Sequence, residues 1–267
     1  MSKHKRILMC APKYFDIEYE INAWMHTDNQ VDTEEAKQQW QKLHDIYAQN
    51  LRWNVQLVEP IEGLPDMVFT ANGGLTWNGR VVLPRFRQPD RQPETDRFHT
   101  WFAHHGGFED FYMPKYDFEG EGDALFFNDI LFAGYPWRSD LPAHKEVADY
   151  LGIKVVSLQL SDARFYHLDT ALTIVNHETV AIWPRAFTEE ALRKIHDVVP
   201  YVIEATDEDA IGYGLNAMSD GHNIVLSDRA YHLIDKYREY NFSVHPTPIS
   251  EFQKSGGGVK CLTLELR

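Results

Sequence analysis

DTALTIVNHETVAIW, residues 169–183, sets one polar side chain, Asp169, at the head of an apolar run that turns at Asn176-His177. The same layout recurs on either side of it. Asn72 heads NGGLTWNGRVVL, Asp123 heads DALFFNDILFAG, Asn216 heads NAMSDGHNIVLS and Cys261 heads CLTLELR. Successive heads lie 51, 46, 47 and 45 residues apart. Self-similarity at such a period marks a repeat architecture, in which equivalent positions of successive units face one axis. Five polar side chains converging there, one of them a thiol, suit a site better than a packed core.

Outward from these runs the pattern is regular. Residues 5–11 and 54–59 read as strands, with a helix over 33–49 between them. Helical segments follow the middle runs at about 95–105, 143–151, 188–198 and 228–240, each opening near a capping signal such as Ser139-Asp140, Thr188 or Ser227-Asp228. Short β-rich runs at 154–160 and 201–204 lead back. Asn78-Gly79, Asn128-Asp129, Asn176-His177 and Gly221-His222-Asn223 carry hairpin chemistry. The unit is therefore ββαβ, and paired strands per unit argue against a doubly wound sheet. The first strand and the run 259–266 each lack a hairpin partner. The economical solution is one α/β domain over residues 1–267, a closed ring in which the N- and C-terminal strands complete one blade together, removing sheet edges as propellers do.

Composition narrows the function classes. The chain has 267 residues, 43% hydrophobic, with 26 Lys+Arg against 40 Asp+Glu, a formal charge of −14. That balance opposes nucleic acid and anionic membrane surfaces and suits a cationic small molecule. No apolar stretch approaches the roughly 18 residues of a membrane span, and the start MSKHKRILMCAP is too short in its apolar part for a signal core. Two cysteines 251 positions apart make no disulfide framework, so a cytoplasmic location is expected. Whether the chain is a homo-oligomer is left open.

Three segments carry chemistry. Gly256, Gly257 and Gly258 precede Cys261, which is either a small buried strand residue or, given its place in the polar series at a glycine-flanked strand mouth, a nucleophile. Cys10, in an apolar strand, reads as core. His167 and Asp169, one residue apart, would share a face of a strand and form an imidazole–carboxylate pair. Glu119, Glu121 and Asp123 surround two glycines and form either a solvated turn or a carboxylate cluster awaiting a cation. No HExxH or paired CxxC pattern supports a metal, and the GxGxxL in the acidic segment fails the dinucleotide fingerprint. No cofactor is expected.

Taken in order, ILMCAPKYFDIEYEINAWM, LPDMVFTANGGL, FEGEGDALF, GYPWRSD, YHLDTALT and GGGVKCLTLEL resemble the guanidine-modifying enzymes of the pentein fold. These are five-bladed β/α-propellers that include arginine deiminase, dimethylarginine dimethylaminohydrolase and amidinotransferases. The resemblance spans the chain and is nearest to the arginine dihydrolases, which convert arginine to ornithine, ammonia and carbon dioxide. It implies Cys261 as nucleophile, His167 as general acid/base and Glu119 as orienter of the histidine or the substrate nitrogens. Asp169 and Asp123 would hold the guanidinium or the histidine's surroundings. Arg138, with Arg91 as a second, would clamp an α-carboxylate. The acidic motif reads EGEGD where the family has EGGD, which leaves the roles of Glu121 and Asp123 open.

The resemblance also bears on the number of steps. Where deiminases and methylarginine hydrolases carry a carboxylate, FTANGG carries Asn72, and Asn22 in EINAWM matches a second asparagine of the dihydrolase group. An amide both donates and accepts, so it can seat a ureido oxygen that a carboxylate repels. Two successive C–N cleavages are expected, with single-step citrulline formation from arginine or a methylated arginine as the alternative. A turn-capping role for Asn72 beside Gly73-Gly74 and a non-catalytic binding protein on the same scaffold are the remaining readings.

Overall fold

The computed structural model describes residues 5–267, a mixed α/β chain built on five three-stranded sheets. Strand β1 (Arg6–Cys10) is followed by helix α1 (Thr33–Asp45) and β2 (Asn54–Val58), which lies parallel to β1. Then come β3 (Leu75–Trp77), β4 (Arg80–Val82), α2 (Glu94–Trp101) and β5 (Asp110–Tyr112). The third group is β6 (Ala124–Phe127), β7 (Ile130–Tyr135), α3 (Leu141–Leu151) and β8 (Lys154–Gln159). The fourth is β9 (Leu172–Ile174), β10 (Thr179–Ile182), α4 (Glu189–Val198) and β11 (Tyr201–Glu204). After a short α5 (Asp207–Ile211) come β12 (Met218–Ser219), β13 (Asn223–Ser227), α6 (Tyr231–Glu239) and β14 (Ser243–Thr247). The chain ends in α7 (Ser250–Gln253) and β15 (Leu264–Glu265).

Each group repeats one pairing: an antiparallel hairpin whose second strand takes the post-helix strand in parallel. The ββαβ unit read from the sequence is thus present, including the split one. In that sheet β15 pairs antiparallel with β1, Leu8 opposite Leu264, and the two ends of the chain share a sheet. Two hairpins turn where expected, with Asn78, Gly79 and Asn128 at positive φ, as tight hairpins require. Helices α1 and α2 run on as π turns (Ile46–Asn50 and Phe102–Gly106), so the helical stretches read at 33–49 and 95–105 hold.

Side-chain caps fix the starts of α1 and α4, whereas Asp140 stands at the start of α3 without a capping hydrogen bond. Asp32 accepts from the N–H groups of Glu34 and Glu35, and Thr188 accepts from that of Ala191, satisfying donors that a helix start leaves free. Ser227-Asp228 does not cap α6, which starts later, after Ala230. Strands β5, β14 and helices α5 and α7 were not read from the sequence; β14 holds Pro246 within SVHPT, a residue that argues against a strand unless it lies on an edge, as this one does.

The repeated unit matters because of what precedes each hairpin. Before β3, β6 and β9 the chain makes a 3₁₀ turn: Thr70–Gly73, Gly120–Gly122 and Leu168–Thr170. The heads of the apolar runs sit in or beside these turns and are all buried, as are Asn216 and Cys261. Gly120 lets two turns meet. Its φ is +60°, and a Cβ there would stand 2.6 Å from the Gly74 carbonyl oxygen. No helix of the described residues is long and apolar enough to cross a membrane.

Candidate active site

Cys261 lies in a tight turn just before β15, and not on a strand as its sequence context suggested. Thr263 and Lys260 hold that turn: the Thr263 hydroxyl donates to the Val259 carbonyl and its N–H to the Lys260 carbonyl. Asn216 grips the cysteine from the neighbouring unit. Its Oδ1 accepts from the Cys261 N–H at 3.0 Å, while Nδ2 donates to Sγ and to the Asp169 carbonyl, each at 3.1 Å. The thiol in turn donates to Asp169 Oδ2 at 3.4 Å. Burial and the Asp169 carboxylate push the thiol well up from its ordinary pKa. Burial also raises Asp169, to about 7. Its second oxygen, Oδ1, is buried with no hydrogen-bond donor.

His167 and Asp169 do not share a strand face. His167 is extended and caps the 3₁₀ turn that contains Asp169, and each side chain has its own partner. The carboxylate beside the imidazole is Glu119, whose Oε2 accepts from His167 Nε2 at 2.8 Å. The same oxygen accepts from Arg138 at 3.3 Å, and Oε1 accepts from the Arg87 N–H. Arg138 and His167 outweigh burial and hold Glu119 down at about 2. Nε2 being engaged, Nδ1 is the ring nitrogen left for other chemistry.

Asp123 serves the histidine's surroundings. Oδ1 accepts from the Leu168 N–H and Oδ2 from the Ser139 hydroxyl, while Ser139 accepts from the Glu119 N–H. Burial raises Asp123 to about 6. Asn72 bridges the same group: Nδ2 donates to the Glu119 carbonyl and lies 3.5 Å from His167 Nε2, and Oδ1 accepts from Arg91 at 3.0 Å. A Cβ on Gly122 would collide with that amide at 2.2 Å, so glycine there makes room for it.

The two arginines are already engaged. Arg91 forms a two-pronged pair with Glu94, 2.9 Å on each arm, and further donors reach Asn72 and the Asp66 carbonyl. Burial still raises Glu94, to about 7, despite that pair. Its contacts make Arg91 the holder of Asn72, with four of its five N–H donors engaged and one on Nη1 left over. Arg138 donates to Glu119 and to the Ile21 carbonyl and lies 4.6 Å from the Tyr166 ring. Asn22 ties the 11–32 segment to Tyr166 and Ser255: Oδ1 accepts from the N–H groups of Trp24 and Met25, and Nδ2 donates to Tyr166 Oη and the Ser255 carbonyl. Cys10 is buried in the core, pushed up to about 12 by burial.

Sequence reading missed several neighbours. Tyr19 and Ser255 hydroxyls donate to buried Asp66, which burial raises; LPDMVF held that residue but gave no partner for it. Tyr213 is buried with an unpartnered hydroxyl and a φ of +59°. Lys260, the neighbour of Cys261, was unmarked because a lone lysine in a strand-like run carries no signal. Among the described residues no group of three or more His, Cys, Asp or Glu is arranged to hold a metal ion.

The structure thus brings a buried thiol against a carboxylate with one donor-free oxygen, and pairs a buried histidine with a buried glutamate. The family model for eukaryotic N,N-dimethylarginine dimethylhydrolase matches residues 11–267. Dimethylarginine dimethylaminohydrolase of Mycobacterium tuberculosis is 42% identical over 98% of this chain and 86% of its own. The bifunctional arginine dihydrolase/ornithine cyclodeaminase ArgZ of Synechocystis is 40% identical, and this chain spans 38% of its length. A crystal structure of the ArgZ N-terminal domain with product bound superposes with a TM-score of 0.93, at 39% identity, over 99% of this chain and 98% of that one. A single-substitution variant of that ArgZ domain has been seen covalently bound to a reaction intermediate. The chain therefore belongs to the dimethylarginine dimethylhydrolase family, a family of hydrolytic enzymes within the guanidine-modifying pentein superfamily.

Proposed function

We propose that this chain is an arginine dihydrolase, cleaving two C–N bonds of the guanidinium group to give ornithine, ammonia and carbon dioxide. The observation that carries it is the donor-free Asp169 Oδ1, buried beside the Cys261 thiol. A buried acceptor without a donor costs about 1–3 kcal/mol, and guanidinium N–H groups would satisfy it. The incoming cation also favours loss of the thiol proton. Sγ then adds to the guanidinium carbon, and His167, oriented by Glu119, protonates the departing ammonia from Nδ1. Water, deprotonated by the histidine, releases the S-linked carbon as a ureido group. Asn72 Nδ2 offers that oxygen a donor where a carboxylate would repel it. A second thiol attack expels the second ammonia, and hydrolysis gives a carbamate that loses carbon dioxide to leave ornithine. Arg138 and Asn22 serve the amino-acid end of the substrate, and Asp123 keeps His167 in place.

The likeness to ArgZ, in sequence and in fold, supports the two-step reading. A second reading, single-step hydrolysis of a methylated arginine to citrulline, draws on the family model and the mycobacterial relative. One domain arranged as a five-bladed closed propeller fits the molecule. The Ala71 N–H donates to the Cys261 carbonyl, linking the last polar turn to the first, and β15 pairs with β1. A small-molecule site in a cytoplasmic protein follows from the same reading.

Ammonia release from arginine by the wild type and by Cys261→Ser tests the proposal. The wild type should turn over, and the variant should lose about a thousandfold or more with its circular dichroism unchanged. Turnover surviving in the variant would remove Cys261 from the chemistry.

A further inference from the structure

The extra acid of the EGEGD motif does not face the site's carboxylate–histidine group. Glu121 Oε2 accepts from Lys260 Nζ at 2.7 Å and from the Glu265 N–H at 2.9 Å, and Oε1 accepts from Arg267. Lys260 Nζ also donates to the Thr263 carbonyl at 2.9 Å, closing the turn that carries Cys261. Both side chains are buried, so this ion pair is shielded from salt and its charges act at short range. It ties the acidic turn Gly120–Gly122 to the residue directly before Cys261.

We propose that Lys260 and Glu121 are positioning residues that hold the Cys261 turn and set, with opposing charges, the ionisation of Asp169. This rests on the reading of Asp169 as the guanidinium's acceptor. The groups facing Asp169 are few. Cys261 and Lys260 come from the C-terminal turn, Asn216 and the buried, unpartnered Tyr213 hydroxyl from the segment before β12, Glu121 from the acidic turn, and His167 on its own turn is taken up by Glu119. Lys260 stabilises the Asp169 carboxylate and Glu121 opposes it, consistent with the direction each pushes that group. A lysine alone would leave Asp169 ionised and the thiol beside it harder to deprotonate. A glutamate alone would leave it protonated and useless to a cation. Burial raises the carboxyl most; the lysine draws it back and the glutamate adds a smaller push upward, so the two charges adjust it from opposite sides.

The sign of the two charges separates this role from a merely structural one. Replacing Lys260→Met should move the acid limb of kcat/KM for arginine to higher pH, by about one unit. Glu121→Gln should move it to lower pH, and Lys260→Arg should restore the wild-type limb. Each variant is first checked by circular dichroism and thermal melting. The ¹³C resonance of the Asp169 carboxyl, assigned by its loss in Asp169→Asn, reports the same midpoints without substrate. It should move in the same opposite directions. Limbs and resonances that stay put, or move the same way in Lys260→Met and Glu121→Gln, would overturn the inference. A wild type inert towards arginine with oppositely displaced resonances would sink the proposed activity and leave the charge role standing.

Discussion

Asp169 shows what one buried carboxyl costs and supplies. Its pKa rises from an ordinary 3.8 to about 7 through burial, so ionising it weakens the fold between those pH values. The loss is a few kcal/mol at most at neutral pH and is absent in acid. Asp169→Asn should therefore raise the melting temperature at pH 8 more than at pH 5, while activity disappears. Equal gains at both pH values would mean the carboxyl is not strained. Glu119 runs the other way. Held down at about 2, it contributes stability above its unfolded value near 4.5 that is lost as the pH falls towards 2. At Asn72 the expectation concerns product. Asn72→Asp should leave citrulline as the end product, read by mass spectrometry, and ornithine formed at the wild-type rate would remove the amide from the second step. Residue types and spacing marked Cys261, His167, Asp169, Glu119 and Asn72. They could not say which carboxylate meets which partner, because Glu119 and His167 are 48 residues apart and meet only through the fold.

The elements that place these residues are turns more than strands. Sequence periodicity found the hairpins and helices because apolar alternation and capping residues are local signals. It read His167, Asp169 and Cys261 as strand residues because the 3₁₀ turns before β3, β6 and β9, and the tight turn that holds Cys261, have no apolar period of their own. Their signature was glycine: Gly120, Gly122 and Gly257 each stand where a Cβ would strike a neighbour. Gly257 faces the Phe69 ring, 2.1 Å from the position of such a Cβ. Gly120→Ala combines a positive φ with a backbone clash and should cost about 1–3 kcal/mol in urea unfolding, along with activity. A variant as stable as the wild type would show that these turns can shift apart.

Across the whole molecule, the first and last strands are joined in one sheet, and Cys261 sits beside that joint. The repeat of polar heads made this legible, since a run without a partner at each end implies that the ends meet. Deleting Leu264–Arg267 removes the partner of β1 and both the Glu265 and Arg267 contacts of Glu121. The truncated chain should lose its cooperative thermal transition, because an opened edge exposes unpaired backbone and apolar faces. A sharp melt at the wild-type temperature would mean that the joint contributes little.

Arginine labelled with ¹³C at the guanidinium carbon follows the reacting atom itself. Two C–N cleavages at one cysteine predict that the label passes from arginine into bicarbonate, with unlabelled ornithine left behind. A label that comes to rest in citrulline, or never leaves arginine, would contradict the account.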